Sequence, residues 1–164
     1  MKIRLASWYV LLSLMTLVLL PSASRPLSAD PALPAVLGQS RTLLPNGRWL
    51  LVGGQGVQGP LATAAIFDPQ TNSLTPIAQP SLQPRAWHTA TVLADGSVLI
   101  ARGVGPGGKV STVLEHFDPA MQAFHLVPAS GLVPRADQTA TLLTDGRVLF
   151  AGGVSPQGQV MGDA

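Results

Sequence analysis

The chain has no cysteine. That excludes a disulfide framework, thiol chemistry and a cysteine-borne lipid anchor, even in an oxidising compartment. Its only tyrosine is Tyr9, close to the amino terminus, and only 11% of the residues are charged. No run of Lys or Arg occurs beyond the first residues, so a nucleic acid or an anionic membrane surface finds no electrostatic footing. No helical periodicity of useful length appears after the amino-terminal segment. Glycine and proline together supply 32 residues of 164 (17 and 15) and punctuate the chain at strand-like intervals, the mark of an all-β architecture.

Lys2 and Arg4 precede an apolar run of 13 residues from Trp8 to Leu20, followed by Pro21 and small residues. The run is shorter than the roughly 20 residues a spanning helix needs, and the order basic, apolar, small is that of a secretory signal. The expectation is export to a periplasmic or extracellular compartment, with residues 1–24 as the leader and cleavage after Ser24 or as late as Ala29; an uncleaved anchor is the alternative. Of 10 basic and 8 acidic residues, Lys2 and Arg4 lie in the leader, which leaves 8 against 8. The basic pI of the whole chain is therefore no guide to its partners. Residues 25–38 read as a linker or edge segment, with Ala35-Val36-Leu37 able to donate one strand.

One stretch is written three times. It runs Gln39-Ser-Arg-Thr-Leu-Leu-Pro-Asn-Gly-Arg-Trp-Leu-Leu-Val-Gly-Gly54, then His88 to Gly103, then Gln138 to Gly153, at offsets of 49 residues from Asn46 to Asp95 and 50 from Asp95 to Asp145. That spacing accommodates four short strands and their turns. Thr89, Thr91 and Leu93 alternate with Ala90 and Val92, the two-residue period of a strand. Asn46-Gly47, Asp95-Gly96 and Asp145-Gly146 predict type I′ hairpin turns with both central residues at positive φ. The return strands, Val98–Ala101 and Val148–Ala151, are almost wholly apolar, as expected of central strands covered on both faces. Gly53-Gly54 and Gly152-Gly153 end them where backbone must approach closely or adopt unusual dihedrals.

Each full copy has a second half. Ala62 to Pro69 and Ser111 to Pro119 read as strands stopped by an Asp-Pro turn, since proline cannot donate to a ladder. Seven residues beyond Phe67 and Phe117 stand Leu74 and Phe124, in short strands over 73–77 and 122–127. Pro84-Arg85 and Pro134-Arg135 then open the next unit. The units are 39–87, 88–137 and a partial 138–164.

These residues resemble the kelch repeat, as found in secreted bacterial kelch proteins and in the propeller of galactose oxidase-like proteins. The shared features are the strand-turn-strand ending in Gly-Gly, the following aromatic-Asp-Pro, the large apolar residue seven positions later, and the Pro-Arg. The chain departs from the pattern at Phe67 and Phe117, where the family carries Tyr, at Leu74 and Phe124, where it carries Trp, and at Arg102-Gly103, which replaces the middle Gly-Gly. The resemblance implies kelch-type β-propeller blades, each a four-stranded antiparallel sheet. About two and a half of them are present, fewer than the 4 to 8 or so that close a propeller. A longer parent with further carboxyl-terminal blades, or closure by self-association, would complete the ring.

Strand alternation gathers the loops after strand two and the connections between units on one rim. That rim offers candidate ligand-binding residues Arg85, Trp87, His88, Lys109, Arg135, Asp137 and Gln138. Arg85 and Arg135 recur with the repeat and read first as structural; Trp87-His88 gives way to Asp137-Gln138 and is free to contact a ligand. His116 and His125 stand apart from other ligand types, so no metal is expected, and no cofactor. Gly103-Val-Gly105-Pro-Gly-Gly108 fits G-x-G-x-x-G, and with Lys109 approaches a P-loop. Phosphate binding would require a helix directly after the glycines, whereas Val110-Ser-Thr-Val-Leu-Glu is strand-like. The oxidase chemistry that the resemblance brings in uses a cysteine-linked tyrosine, a second tyrosine and histidines, which these residues do not supply. The expected function is an exported binding scaffold for a protein or glycan, not an enzyme; the alternative is an amino-terminal piece of a secreted galactose oxidase-like enzyme whose catalytic residues lie outside this chain.

Overall fold

Twelve strands occupy the residues that the computed structural model describes, 35–78, 83–128 and 133–164. The expected leader and most of the expected linker lie outside the described residues. In chain order the strands are β1 (Ser40–Leu43), β2 (Trp49–Val52), β3 (Gln55–Gly56), β4 (Gly59–Pro60), β5 (Ala64–Asp68), β6 (Ser73–Pro76), β7 (Thr89–Val92), β8 (Val98–Ala101), β9 (Leu114–Asp118), β10 (Ala123–Val127), β11 (Thr139–Leu142) and β12 (Val148–Ala151). They form two four-stranded antiparallel sheets, ordered β1-β2-β5-β6 and β7-β8-β9-β10, a hairpin β11-β12 and a small ribbon β3-β4. The fold is all-β, and the two large sheets are the same object built twice from the two full repeats.

The spacings of the sequence become registers. Phe67 pairs directly with Leu74 and Phe117 with Phe124, so the seven-residue interval is the span of a hairpin closed by the Asp-Pro turn. In that turn Asp68 Oδ1 accepts from the Gln70 amide at 2.9 Å and Asp118 Oδ1 from the Ala120 amide at 2.8 Å. The two phenyl rings of the second sheet lie with centroids 4.8 Å apart at 44°, a tilted contact of the favoured kind.

The hairpin turns are not type I′. Leu43 pairs with Trp49, Val92 with Val98 and Leu142 with Val148, and the next residues in, Leu44 and Arg48, are joined by the Leu44 amide to the Arg48 carbonyl at 2.8 Å. Three residues remain in each loop, Pro45-Asn46-Gly47 in the first. Gly47, Gly96 and Gly146 have φ of +80°, +84° and +84°, while Asn46, Asp95 and Asp145 are not among the positive-φ residues. This is a type I turn followed by a left-handed glycine bulge, which draws on the same Asn-Gly and Asp-Gly pairs as type I′. Pro45 was the distinguishing signal, since its fixed φ suits the first central position of a type I turn. Asx contacts fill the rest: the Ser97 amide donates to Asp95 Oδ1 at 3.0 Å and the Arg147 amide to Asp145 Oδ1 at 3.1 Å.

Ala35-Val36-Leu37, read as able to donate a strand from a linker or edge segment, form none; the chain turns at Leu37-Gly38 instead. Gly38 has φ +68°, and Trp87 and Asp137, one repeat and two repeats on, have φ +53°. The same left-handed kink therefore leads into β1, β7 and β11.

Period-two alternation divides each sheet into two faces, and burial shows which face meets which. Leu50, Val52, Ala64, Ile66 and Ile77 of the first repeat pack against Val98, Ile100, Phe117 and Phe124 of the second in one hydrophobic core. Leu50, Val52, Val98 and Ile100 are fully buried, each contributing about 1.5–3 kcal/mol relative to exposure. As expected, the apolar return strand β8 lies inside its sheet, as β2 does in the first; β12, expected to be central too, pairs only with β11 among the described residues. Further along, β11 lies against β7 as β7 lies against β1.

Candidate functional site

The loops between β2 and β5 and between β8 and β9, and the segments that lead into β7 and β11, meet at one end of the strands. Hydrogen bonds bind them into a band. Gly54 donates to the Arg85 carbonyl at 2.9 Å, Arg85 to Leu61 at 3.0 Å, and Trp87 to Gly38 at 2.9 Å; Ala86 and Val104 exchange bonds of 3.0 and 2.8 Å, as Ala136 and Val154 do at 3.0 and 2.9 Å. Strand β4 of the ribbon lies beside Pro106–Gly108, the one 3-10 turn among the described residues. Extended chain and then β9 come directly after that turn, so the glycine-rich loop stands before a strand and not before a helix.

In the second and third repeats the second glycine of the Gly-Gly motif is the one the band requires. A Cβ on Gly103 would lie 2.6 Å from the Ala86 carbonyl oxygen, and one on Gly153 2.5 Å from that of Ala136; φ is +89° and +92°. The first position varies among the repeats: a Cβ on Gly53 would collide with the Arg85 carbonyl oxygen, while one on Gly152 would meet nothing nearer than 3.8 Å. There Arg102 takes the left-handed conformation, φ +63°, beside +61° at Gly53 and +67° at Gly152.

The predicted rim residues divide into buried and exposed sets. Arg85 is fully buried. Its guanidinium pairs with Glu115, itself fully buried, and donates to the Val113 carbonyl at 3.1 Å and the Arg102 carbonyl at 3.4 Å. Burial lowers the Arg85 pKa, and the charge of Glu115 opposes that shift. Arg135 repeats the pattern with Gly152 O at 3.1 Å, Asp163 O at 3.2 Å and the Asp163 carboxylate at 3.2 Å. Because the Arg85 backbone is bonded to the first repeat and its side chain to the second, it stitches the two together.

His88 is 9% exposed, and its Nε2 lies 2.7 Å from Ser40 Oγ on β1. Burial, and then the nearby Arg85 charge, push its pKa down to about 3. Among the described residues its Nδ1 has no hydrogen-bond partner. The pair has the contact of a nucleophile and its base without a third group to orient the ring, and an imidazole this hard to protonate is a weak base. Gln138, in the equivalent place, is also buried, and its Nε2 donates to the Ala101 carbonyl at 3.5 Å. Of the remaining predicted residues, Trp87 is half-buried, its ring against Gly38, while Lys109 and Asp137 are exposed.

Two charged residues were missed by sequence reasoning. Glu115 is the one acidic residue inside the segment Val113-Leu-Glu-His-Phe117, between Leu114 and the core residue Phe117, and that placement was the available signal. Arg102 replaces a repeat glycine. Its side chain, 3% exposed, donates to the Val133 carbonyl at 2.7 Å and lies 4.8 Å from the centre of the Phe150 ring, fastening the second sheet to the third hairpin. Its pKa is lowered by burial and then by Arg135. His116 and His125 face each other across β9 and β10. Among the described residues no group of three His, Cys, Asp or Glu gathers where a metal ion would sit.

No known family profile matches the chain, and no curated protein does. Solved structures do. One of them, the structure of YjhT, superposes with a TM-score of 0.62 at 15% identity, covering 73% of this chain and 44% of that one. The likeness is one of fold. The chain thus spans less than half the length of this structural relative.

Proposed function

We propose that the chain is a segment of an exported, kelch-type β-propeller, and that its work is recognition of a protein or glycan through the loops of one rim. The observation that carries this reading is the division of labour among the repeats. Residues at recurring positions, Arg85 and Arg135, the Gly-Gly pairs and the Asp-Gly turns, are engaged in the frame. Those that differ between repeats and reach solvent, Trp87, Lys109 and Asp137, stand on the band where neighbouring repeats are hydrogen-bonded together. A rigid band carrying varied loops is the arrangement from which binding sites are built. The 15% identical likeness to YjhT supports the scaffold and is silent on the ligand.

The test is a glycan array and a chemical cross-linking screen on secreted protein, run in parallel with a Trp87→Ala/Lys109→Ala variant of unchanged circular dichroism. Binding that falls at least ten-fold in the variant is expected. Binding that survives it, or that is lost instead on altering the opposite, Asp-Gly rim, overturns the assignment.

A further inference from the structure

The repeats also serve as controls for one another on the opposite rim, where the Asp-Gly and Asp-Pro turns emerge. In the first repeat the residue after the turn glycine is Arg48, whose Nε lies 3.8 Å from the carboxylate of Asp68. In the third it is Arg147, whose Nη2 lies 2.7 Å from Asp145. In the second repeat the same place is held by Ser97, while both carboxylates remain: Asp118 is the counterpart of Asp68, and Asp95 the counterpart of Asp145. Each therefore has a precedent elsewhere in the chain for holding a guanidinium, and in its own repeat has lost it.

At that place the surface opens into a cleft of about 320 Å³, walled by Pro45 and Asn46 of the first hairpin turn and by Asp95, Ser97, His116 and Asp118 of the second repeat. No Lys or Arg lines it. Asp118 Oδ1 is occupied by the Ala120 and Met121 amides at 2.8 and 3.1 Å, and Asp95 Oδ1 by Ser97. The Oδ2 of each holds no hydrogen bond or ion pair among the described residues. The Ser97 hydrogen bonds hold the Asp95 carboxyl below the usual range, so it is ionised at neutral pH.

We propose that this cleft is a binding site for a guanidinium group, an arginine side chain presented by a protein partner, which takes the place that the chain's own arginine fills in the first and third repeats. The site is separate from the loop rim and stands whether or not that rim binds a ligand. Carboxylate and guanidinium match as planar, charge-assisted hydrogen-bonding groups, and Pro45 and Pro119 flank the cleft with apolar surface for the side-chain stem.

The experiment titrates isotope-labelled full chain at low ionic strength with N-acetyl-arginine amide and follows backbone amide resonances. Saturable shifts confined to the amides of Asp95, Gly96, Ser97, Asp118 and Ala120 are expected. Ser97→Arg, which installs the residue of the other two repeats, should abolish them. Asp118→Asn keeps the Oδ1 acceptor of its turn and should weaken binding about three- to five-fold, the scale of one exposed ion pair. Equal binding by the Ser97→Arg protein, shifts spread over the whole surface, or spermidine binding as well as the arginine compound would each overturn the proposal, the last by reducing the site to unspecific attraction of cations.

Discussion

Replacing Glu115 with alanine removes one member of an ion pair in which both side chains are wholly shielded from water. Arg85 then keeps its charge in an apolar surround, with the Val113, Arg102 and Gln83 carbonyls as its acceptors, and the Gln83 amide loses its 3.1 Å bond to Glu115 Oε1. Breaking a buried pair from one side costs about 3–5 kcal/mol, because the remaining charge is uncompensated. The third repeat supplies the control. Arg135, itself buried, meets Asp163, whose side chain is 62% exposed; water reaches the vacated place in Asp163→Ala and the Gly152 carbonyl still accepts from the guanidinium, so the cost is about 1 kcal/mol. Against a total stability of about 5–15 kcal/mol for a domain, the first change is severe and the second minor. Urea denaturation followed by tryptophan fluorescence, with a thermal scan beside it, should show Glu115→Ala melting roughly 10–20 °C lower and Asp163→Ala within a few degrees of the parent. A double change of Arg85→Met with Glu115→Leu should recover much of the loss, since the buried charge goes with its partner. Equal effects of the two single variants would refute the claim that burial, rather than the recurring arginine itself, decides the strength of the pair.

The paired glycines give a second test: Gly152→Ala faces no atom nearer than 3.8 Å and bears only its left-handed φ of +67°, about 1–2 kcal/mol. Gly103→Ala adds a 2.6 Å approach to the Ala86 carbonyl and should cost at least about 3 kcal/mol by denaturant titration; similar losses at both would contradict the close backbone approach. For His88, held neutral down to about pH 3 in the folded chain against roughly 6.5 in an unfolded one, the unfolded state alone binds a proton between those values. Its contribution is complete above about pH 6.5 and falls away as the pH drops toward 3. Melting temperature measured across that window should therefore decline less steeply in His88→Gln, which carries the residue of the other two copies at Gln39 and Gln138, and an unchanged slope would show that His88 does not titrate as its burial requires.

Much of this was legible in the chain itself. A three-fold motif, proline and glycine at strand intervals, and the alternation of Thr89 to Leu93 lead to an all-β fold of like units, because each signal is local and each copy repeats it. The seven residues from Phe67 to Leu74 and from Phe117 to Phe124 already encode a hairpin register. The turn type was marked only by Pro45 in the first copy, since Asp-Gly alone serves both a two-residue loop and a three-residue loop with a bulge, and the choice is made where Leu43 meets Trp49 across the sheet.

What the linear order could not convey is which copy's side chain completes another's surroundings. Arg85 and Arg135 are the same residue at the same place in the repeat, and both are buried, yet the carboxylate that meets one is sealed from water and the carboxylate that meets the other is open to it. Ser40 meets His88 from 48 positions away. Ser97 looks like a neutral substitution for arginine until the first hairpin turn closes over it and leaves two carboxylates facing a cleft. The repeating unit is written in the amino-acid order, since strand period and turn chemistry act over a few residues; tertiary structure decides burial and pairing, since both depend on what the neighbouring unit brings into contact.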